Sequence, residues 1–332
     1  MEKTTIVTAE FETCPHPRIA PIIKNFSNYQ SREFQICEHV AGIGKIEYDK
    51  NIPLVIFHSE GDSQYVDIDF LSQYGSVLHC NYTLSKTKGK FFNYWAYDYL
   101  QRLKAYQQPV NVSNNFIPKF LCLNGRPEWH RYYVLQRLVD KNLYNRGYIS
   151  FLNRYNTLNN EIIYETFLDL YSGTPAFVKN IFEKKQLLVL DKSNNEIHKN
   201  DRSHSEYIYK DTSVSLVTET YPDAERGLFI TEKSYKPIAN CHFQIWISQP
   251  GMVDFFRNLG FDMFDDIIDN SYDDIYDDIK RFEQALNSLE TLLSDCCSFS
   301  EVKKKQLQYR LNKNQNKYLN MKLSDKEIES WL

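Results

Sequence analysis

The sequence predicts an α/β protein built from two Rossmann-like domains facing a cleft, with C-terminal helices. Three observations point there. The chain has 332 residues, enough for two α/β domains. Short apolar, β-branched runs alternate with segments of helical period in both halves, as doubly wound sheets require. Between the halves lies Gln107–Pro118, QQPVNVSNNFIP, polar, Asn-rich and bracketed by prolines, which reads as a domain boundary.

The first half opens with Thr5–Glu10 and Pro53–His58, brief apolar runs followed by polar residues, the pattern of buried parallel strands. Ser76–Cys80 reads as a third. Phe91–Tyr106 has helical spacing, with Trp95, Tyr99 and Leu103 on one side. Beyond the boundary, Lys119–Leu123 is a strand, NGRPEW a turn, and His130–Lys141 a helix with Val134, Leu135, Leu138 and Val139 as its stripe. Residues 150–210 carry one predicted helix, near Ile162–Leu170, and a polar loop. Val214–Glu219 and Phe243–Ser248 are strands, and Thr231–Ala239 and Met252–Leu259 are short helices. Asp273–Ser294 and Val302–Leu323 are long helical patterns.

Composition removes several function classes. The net charge of −4 carries no footprint of a general nucleic-acid binder, and Lys303–Lys305 reads as a solvated face. The 24 tyrosines suit a polar binding cleft, though an AT-rich genome explains them as well. Seven cysteines without a CxxC pair read as reduced thiols in a cytoplasmic protein. No apolar run is long enough to span a membrane, and none marks a signal peptide. No GxGxxG follows an early strand, which ranks an oxidoreductase last. The pairs Asp265-Asp266, Asp273-Asp274 and Asp277-Asp278 read as helix caps. Asp67-Ile68-Asp69 is too short a motif to assign a metal, so no metal requirement is expected.

The most informative segment is FITEKSYKPIANCHFQIWIS, Phe229–Ser248. A strand end followed by Thr231-Glu232-Lys233 at a helix start offers a capping hydroxyl, free N–H groups, a cation for phosphate and a carboxylate for ribose hydroxyls. The same three residues also suit an ordinary capped helix with surface charges.

With its neighbours, the segment resembles the donor-binding half of fucosyltransferase-like and exostosin-like glycosyltransferases, and most of all phage and bacterial members with the TEK motif. The matching residues are Thr218-Glu219, Thr231-Glu232-Lys233, Lys236-Pro237, Phe243, Pro250-Gly251, Gly260-Phe261, Phe264, Asp269 and Tyr272-Asp273. FLCLNGRPEWHRYYVLQRL resembles the opening of the same domain. Asn240-Cys241-His242 departs from the pattern, standing where glycine and small residues are usual.

The resemblance implies a GT-B-like enzyme that moves a sugar from a nucleotide sugar, UDP-, GDP- or similar, to an acceptor hydroxyl. The acceptor is a glycan or a modified base of phage DNA. The implied divisions are 1–110 for the acceptor side, 111–290 for the nucleotide sugar, and 291–332 as a helical tail. Carried over, Arg126, His130, Arg131 and Arg226 become diphosphate contacts, and Glu219 a strand-end ligand contact beside Thr231, Glu232 and Lys233. The base that deprotonates the acceptor is expected past first-half strands: Glu60 first, then Asp62, then Glu10. The alternative is a non-catalytic nucleotide-binding or structural protein derived from a transferase.

Overall fold

In this computed structural model, residues 6–8, 22, 25, 34–39, 54–58, 76–79, 90–105, 116–151, 160–184, 188 and 206–331 are described. The chain is α/β with parallel sheets and groups into two compact units. The first comprises Met1–Gln107, Glu225–Tyr235 and Leu319–Leu332. The second comprises Gln108–Ala224 and Lys236–Tyr318. The sequence-based divisions at 110/111 and 290/291 treat each unit as one stretch of chain. Periodicity carries no information on a later segment's return to an earlier unit, which is what residues 225–235 and 319–332 do.

The first unit holds a parallel sheet ordered β1-β2-β3-β4-β5, from β1 (Ile6–Thr8), β2 (Phe34–His39), β3 (Leu54–His58), β4 (Ser76–His79) and β5 (Lys90–Phe91). Among the described strands the order follows the sequence without reversal. Periodicity finds strands but cannot order them, so the doubly wound expectation for this half had no means of anticipating a stepwise sheet. Val55, Ile56, Phe57, Val77 and Leu78 are buried at its centre. Helix α1 (Tyr94–Ala105) buries Tyr94, Ala96, Tyr97, Tyr99, Leu100 and Leu103. Trp95, expected on that face, is only half-buried. Tyr94 is the ring that packs on Phe57, with centroids 5.1 Å apart, and this fixes which side of the helix turns inward.

The second unit holds β6 (Phe120–Asn124), β7 (Gly147–Phe151), β8 (Val214–Thr218) and β9 (Phe243–Ile247), all parallel, in the order β7-β6-β8-β9. Every residue of β8 and β9 is buried, as expected for strands of a parallel sheet covered on both faces. Helix α2 (Trp129–Asp140) follows β6 and packs on α3 (Asn160–Leu170) and α4 (Ala176–Glu183). Tyr132 is the hub there, with ring contacts to Phe151, Tyr164, Phe167 and Phe182. These tyrosines therefore build core. Strand β7, helix α4 and helix α5 (Glu206–Lys210) fall in the stretch whose periodicity is weakest.

Helix α6 (Glu232–Ala239) leads into β9, and α7 (Met252–Asn258) follows it. Two long helices, α8 (Asp278–Ser298) and α9 (Glu301–Leu319), come next, then α10 (Asp325–Trp331). Leu286, Leu289, Leu292 and Leu293 of α8 are fully buried, each worth roughly 1.5–3 kcal/mol. Arg137 grips Glu283 with two bonds, 2.6 and 2.7 Å, tying α2 to α8. Lys303 is not simply solvated: it reaches Asp266 at 3.1 Å, alongside Arg310.

The acidic pairs divide by role. Asp277 caps α8 through Lys280 N–H at 2.9 Å, as expected. Asp265 and Asp266 instead pair with Arg257 and Arg310, and Arg310 holds Asp266 down to about 2. Asp273 is buried and accepts the Asp254 N–H at 3.1 Å at the start of α7. Burial pushes its carboxyl up to about 6, against the opposing pull of the Val253, Asp254 and Met252 N–H groups. The native state thus holds this proton more tightly than the unfolded chain. The stabilisation is full below about pH 4 and is lost as pH rises through about 6. Asp273→Asn keeps an acceptor oxygen and removes the buried charge. It is expected to melt above the wild type at pH 8, with the gap closing below about pH 4; thermal melts across that range measure it.

Candidate functional site

The strand order of the second unit reverses at β6. The chain runs from β6 to β7 on one side, then crosses to β8 on the other. In open parallel sheets, ligands bind outside the carboxyl ends of strands at such a reversal. The ends in question are Asn124 of β6 and Thr218 of β8. Four of the sequence-predicted residues converge there: Arg126, His130, Arg131 and Glu219.

They divide into an exposed and a buried group. Arg126 sits in the turn between β6 and α2 with its side chain in solvent. His130 and Arg131, in the first turn of α2, are buried. His130 Nε2 lies 3.0 Å from the Glu219 carbonyl oxygen. A carbonyl only accepts, so Nε2 carries the hydrogen and the tautomer is set. Arg131 donates from Nη1 to the Arg126 carbonyl at 2.9 Å, and from Nη2 to the Glu219 and Thr218 carbonyls at 3.3 and 3.5 Å. Its guanidinium is thus turned inward, joining the turn after β6 to the end of β8. Burial lowers its pKa, Glu128 works against that, and the nearby Arg126 charge lowers it further. Two guanidinium groups therefore repel each other at a helix start. The first turn of α2 has no acidic residue, and Glu128 makes no side-chain cap. An anion at this position would relieve the repulsion and meet the positive end of the helix dipole.

Glu219 is fully buried, and its carboxylate accepts the Thr220 N–H at 3.3 Å. Its own N–H bonds the Ile247 carbonyl, which extends the β8–β9 ladder by one residue. A chain of buried polar groups crosses the strand ends beside it. Thr218 Oγ1 donates to Asn124 Oδ1 at 2.6 Å, and Asn124 Nδ2 donates to the Ser150 carbonyl at 3.2 Å and to Cys122 Sγ at 3.4 Å. Burial raises the Cys122 thiol to about 11, so it stays protonated and is no nucleophile at neutral pH.

A second clamp lies under the end of β9. Arg281 of α8 is buried and donates to the Ser248 carbonyl at 2.7 Å and the Pro222 carbonyl at 2.8 Å. It also reaches the Ile275 and Tyr276 carbonyls at 2.7 and 3.0 Å, and Asp278. One side chain thus fixes the loops that follow both β8 and β9.

The Thr231-Glu232-Lys233 segment is grouped with the first unit. Thr231 behaves as the expected cap: its Oγ1 accepts the Lys233 N–H at 3.3 Å and Lys233 Nζ at 3.1 Å. Glu232 is the first helical residue, and it and Lys233 are half-buried. Tyr235 anchors the segment, its hydroxyl donating to Asn93 Oδ1 at 2.7 Å. The helix stops two residues after Pro237, and Cys241 takes a left-handed φ of 55°. Glycine adopts that conformation without a Cβ penalty, whereas cysteine here bears one. Gly251, with φ 87°, starts α7 in the same region of backbone space.

Arg226 ends a short 3-10 turn, Ala224–Arg226, and its side chain is not among the described residues. Glu10, Glu60 and Asp62 also lie outside them, as do Asp67 and Asp69. Sequence reasoning passed over Asn124, Ser150, Gln249 and Arg281. The available signal for Asn124 and Gln249 was a polar residue at or just past the end of an otherwise apolar strand, as in FLCLN and FQIWISQ, whereas Ser150 lies inside GYISF, which does not read as a strand. Arg281 has none, since one basic residue in a helix reads as surface. Comparison with protein-family models, curated proteins and solved structures finds no match to this chain.

Proposed function

We propose that this chain is a nucleotide-sugar-dependent glycosyltransferase of GT-B-like architecture. The observation that carries the reading is the convergence of Arg126, His130, Arg131 and Glu219 at the β6/β8 reversal. It joins a helix start bearing two guanidinium groups and a histidine to a strand-end carboxylate where nucleotides are bound in sheets of this kind. In this reading Arg126 meets the diphosphate, while His130 and Arg131 hold the frame by fixing the Glu219 carbonyl. For Lys233 and Glu232, which are grouped with the other unit, the resemblance alone implies a phosphate cation and a ribose carboxylate. The acceptor base is sought first at Glu60, then Asp62 and Glu10. The acceptor is a glycan or a modified base of phage DNA, the setting is cytoplasmic, and no metal is required.

The test is a panel of UDP-, GDP-, CMP- and ADP-sugars read by thermal shift and by donor hydrolysis. One donor is expected to raise Tm in proportion to the logarithm of its concentration above Kd and to be slowly hydrolysed. Binding without turnover, with or without either acceptor class, would move the assignment to a non-catalytic nucleotide-binding protein. If no donor shifts the melt, the transferase reading fails.

A further inference from the structure

Gln249 is the second residue past the end of β9, and it is 1% exposed. Neither Nε2 nor Oε1 of its amide has a hydrogen-bond partner. Buried amide groups are almost always bonded, because an unmet donor or acceptor forfeits its interaction with water. Here a donor and an acceptor are unmet on the same planar group. The backbone around it is pinned: Ser248 Oγ donates to the Gln249 carbonyl at 3.0 Å, and Arg281 holds the Ser248 carbonyl. The position is set by register. Thr218 pairs with Ile247 across β8 and β9, and the Glu219 N–H continues the ladder. Gln249 therefore follows the strand next to Glu219, on the same carboxyl edge of the sheet.

From this geometry we infer that Gln249 reads the nucleobase of the bound nucleotide, an inference that rests on the nucleotide-sugar reading above. A phosphate only accepts, so it would meet Nε2 and leave Oε1 unmet. The edge of uracil or guanine places an N–H donor beside a carbonyl acceptor in one plane, matching both halves of the amide. Uracil offers N3–H beside O4, and guanine N1–H beside O6. Glutamate at this position would accept only. It would then favour guanine, whose N1–H and N2–H₂ are adjacent donors, over uracil, which has one.

The experiment is titration calorimetry of UDP, GDP, CDP, ADP and inorganic pyrophosphate against the wild type, Gln249→Met and Gln249→Glu. Gln249→Met is expected to weaken the preferred nucleoside diphosphate roughly ten- to hundredfold. Pyrophosphate affinity should stay unchanged. The same variant loses two unmet polar atoms and should melt no lower than the wild type, which separates lost recognition from lost folding. Gln249→Glu should shift the ranking toward GDP relative to UDP. Nucleotide affinities within twofold of wild type in both variants overturn the role of Gln249 and leave the transferase reading standing. An equal loss for pyrophosphate also overturns it. A wild type that binds no nucleoside diphosphate overturns both.

Discussion

Arg281→Met is expected to lower unfolding stability by about 3–5 kcal/mol, the range for removing one partner from a buried charged network. The variant leaves the Ser248, Pro222, Ile275 and Tyr276 carbonyls without their donor, and Asp278 without its cation. Asp278 also accepts the Ala224 N–H at 3.1 Å, so the loop after β8 loosens at two points. Against a typical total of about 5–15 kcal/mol, that is a large fraction. Arg281→Lys should rescue little, because an ammonium is a compact charge and cannot fork toward four carbonyls. Urea unfolding at constant m-value measures both variants. A loss under about 1 kcal/mol for Arg281→Met would show the clamp to be dispensable.

The second large effect is on activity. In the transferase reading, Lys233→Ala should lower kcat/KM for sugar transfer roughly a hundred- to thousandfold, the usual size for losing one group that stabilises transition-state charge. Folding should survive. Thr231 Oγ1 accepts the Lys233 backbone N–H as well as its ammonium, and alanine keeps the former. Lys233→Arg should recover only part of the rate, since a planar fork replaces a point charge. An unchanged kcat/KM in Lys233→Ala, once a donor is identified, would leave Thr231-Glu232-Lys233 as an ordinary capped helix start.

The legible parts of this chain were those where local pattern and tertiary role agree. VSLVT and FQIWI are dominated by apolar and β-branched residues, and all ten of their residues are buried in the sheet. Thr231 caps a helix because its hydroxyl is within reach of the next turn. The illegible parts depend on partners distant in sequence. GYISF carries a glycine and a serine and does not read as a strand, yet it completes the sheet beside β6. Arg126 and Arg131 look alike in sequence, but one faces solvent and the other is buried against carbonyls 87 and 88 residues away. Nothing local distinguishes an exposed guanidinium from a buried one that ties two loops together.

The way the chain is shared between the units has a consequence for its synthesis. The ribosome delivers residues in order, and domains emerging first commonly fold first. Here the first unit draws on Glu225–Tyr235 and Leu319–Leu332, whereas the second needs nothing beyond Tyr318. The sheet of the first unit, although translated before the second unit, must wait for the last segment of its own unit. The unit made later can finish before it, and until that segment is synthesised the first sheet lacks Ile328, which ends fully buried.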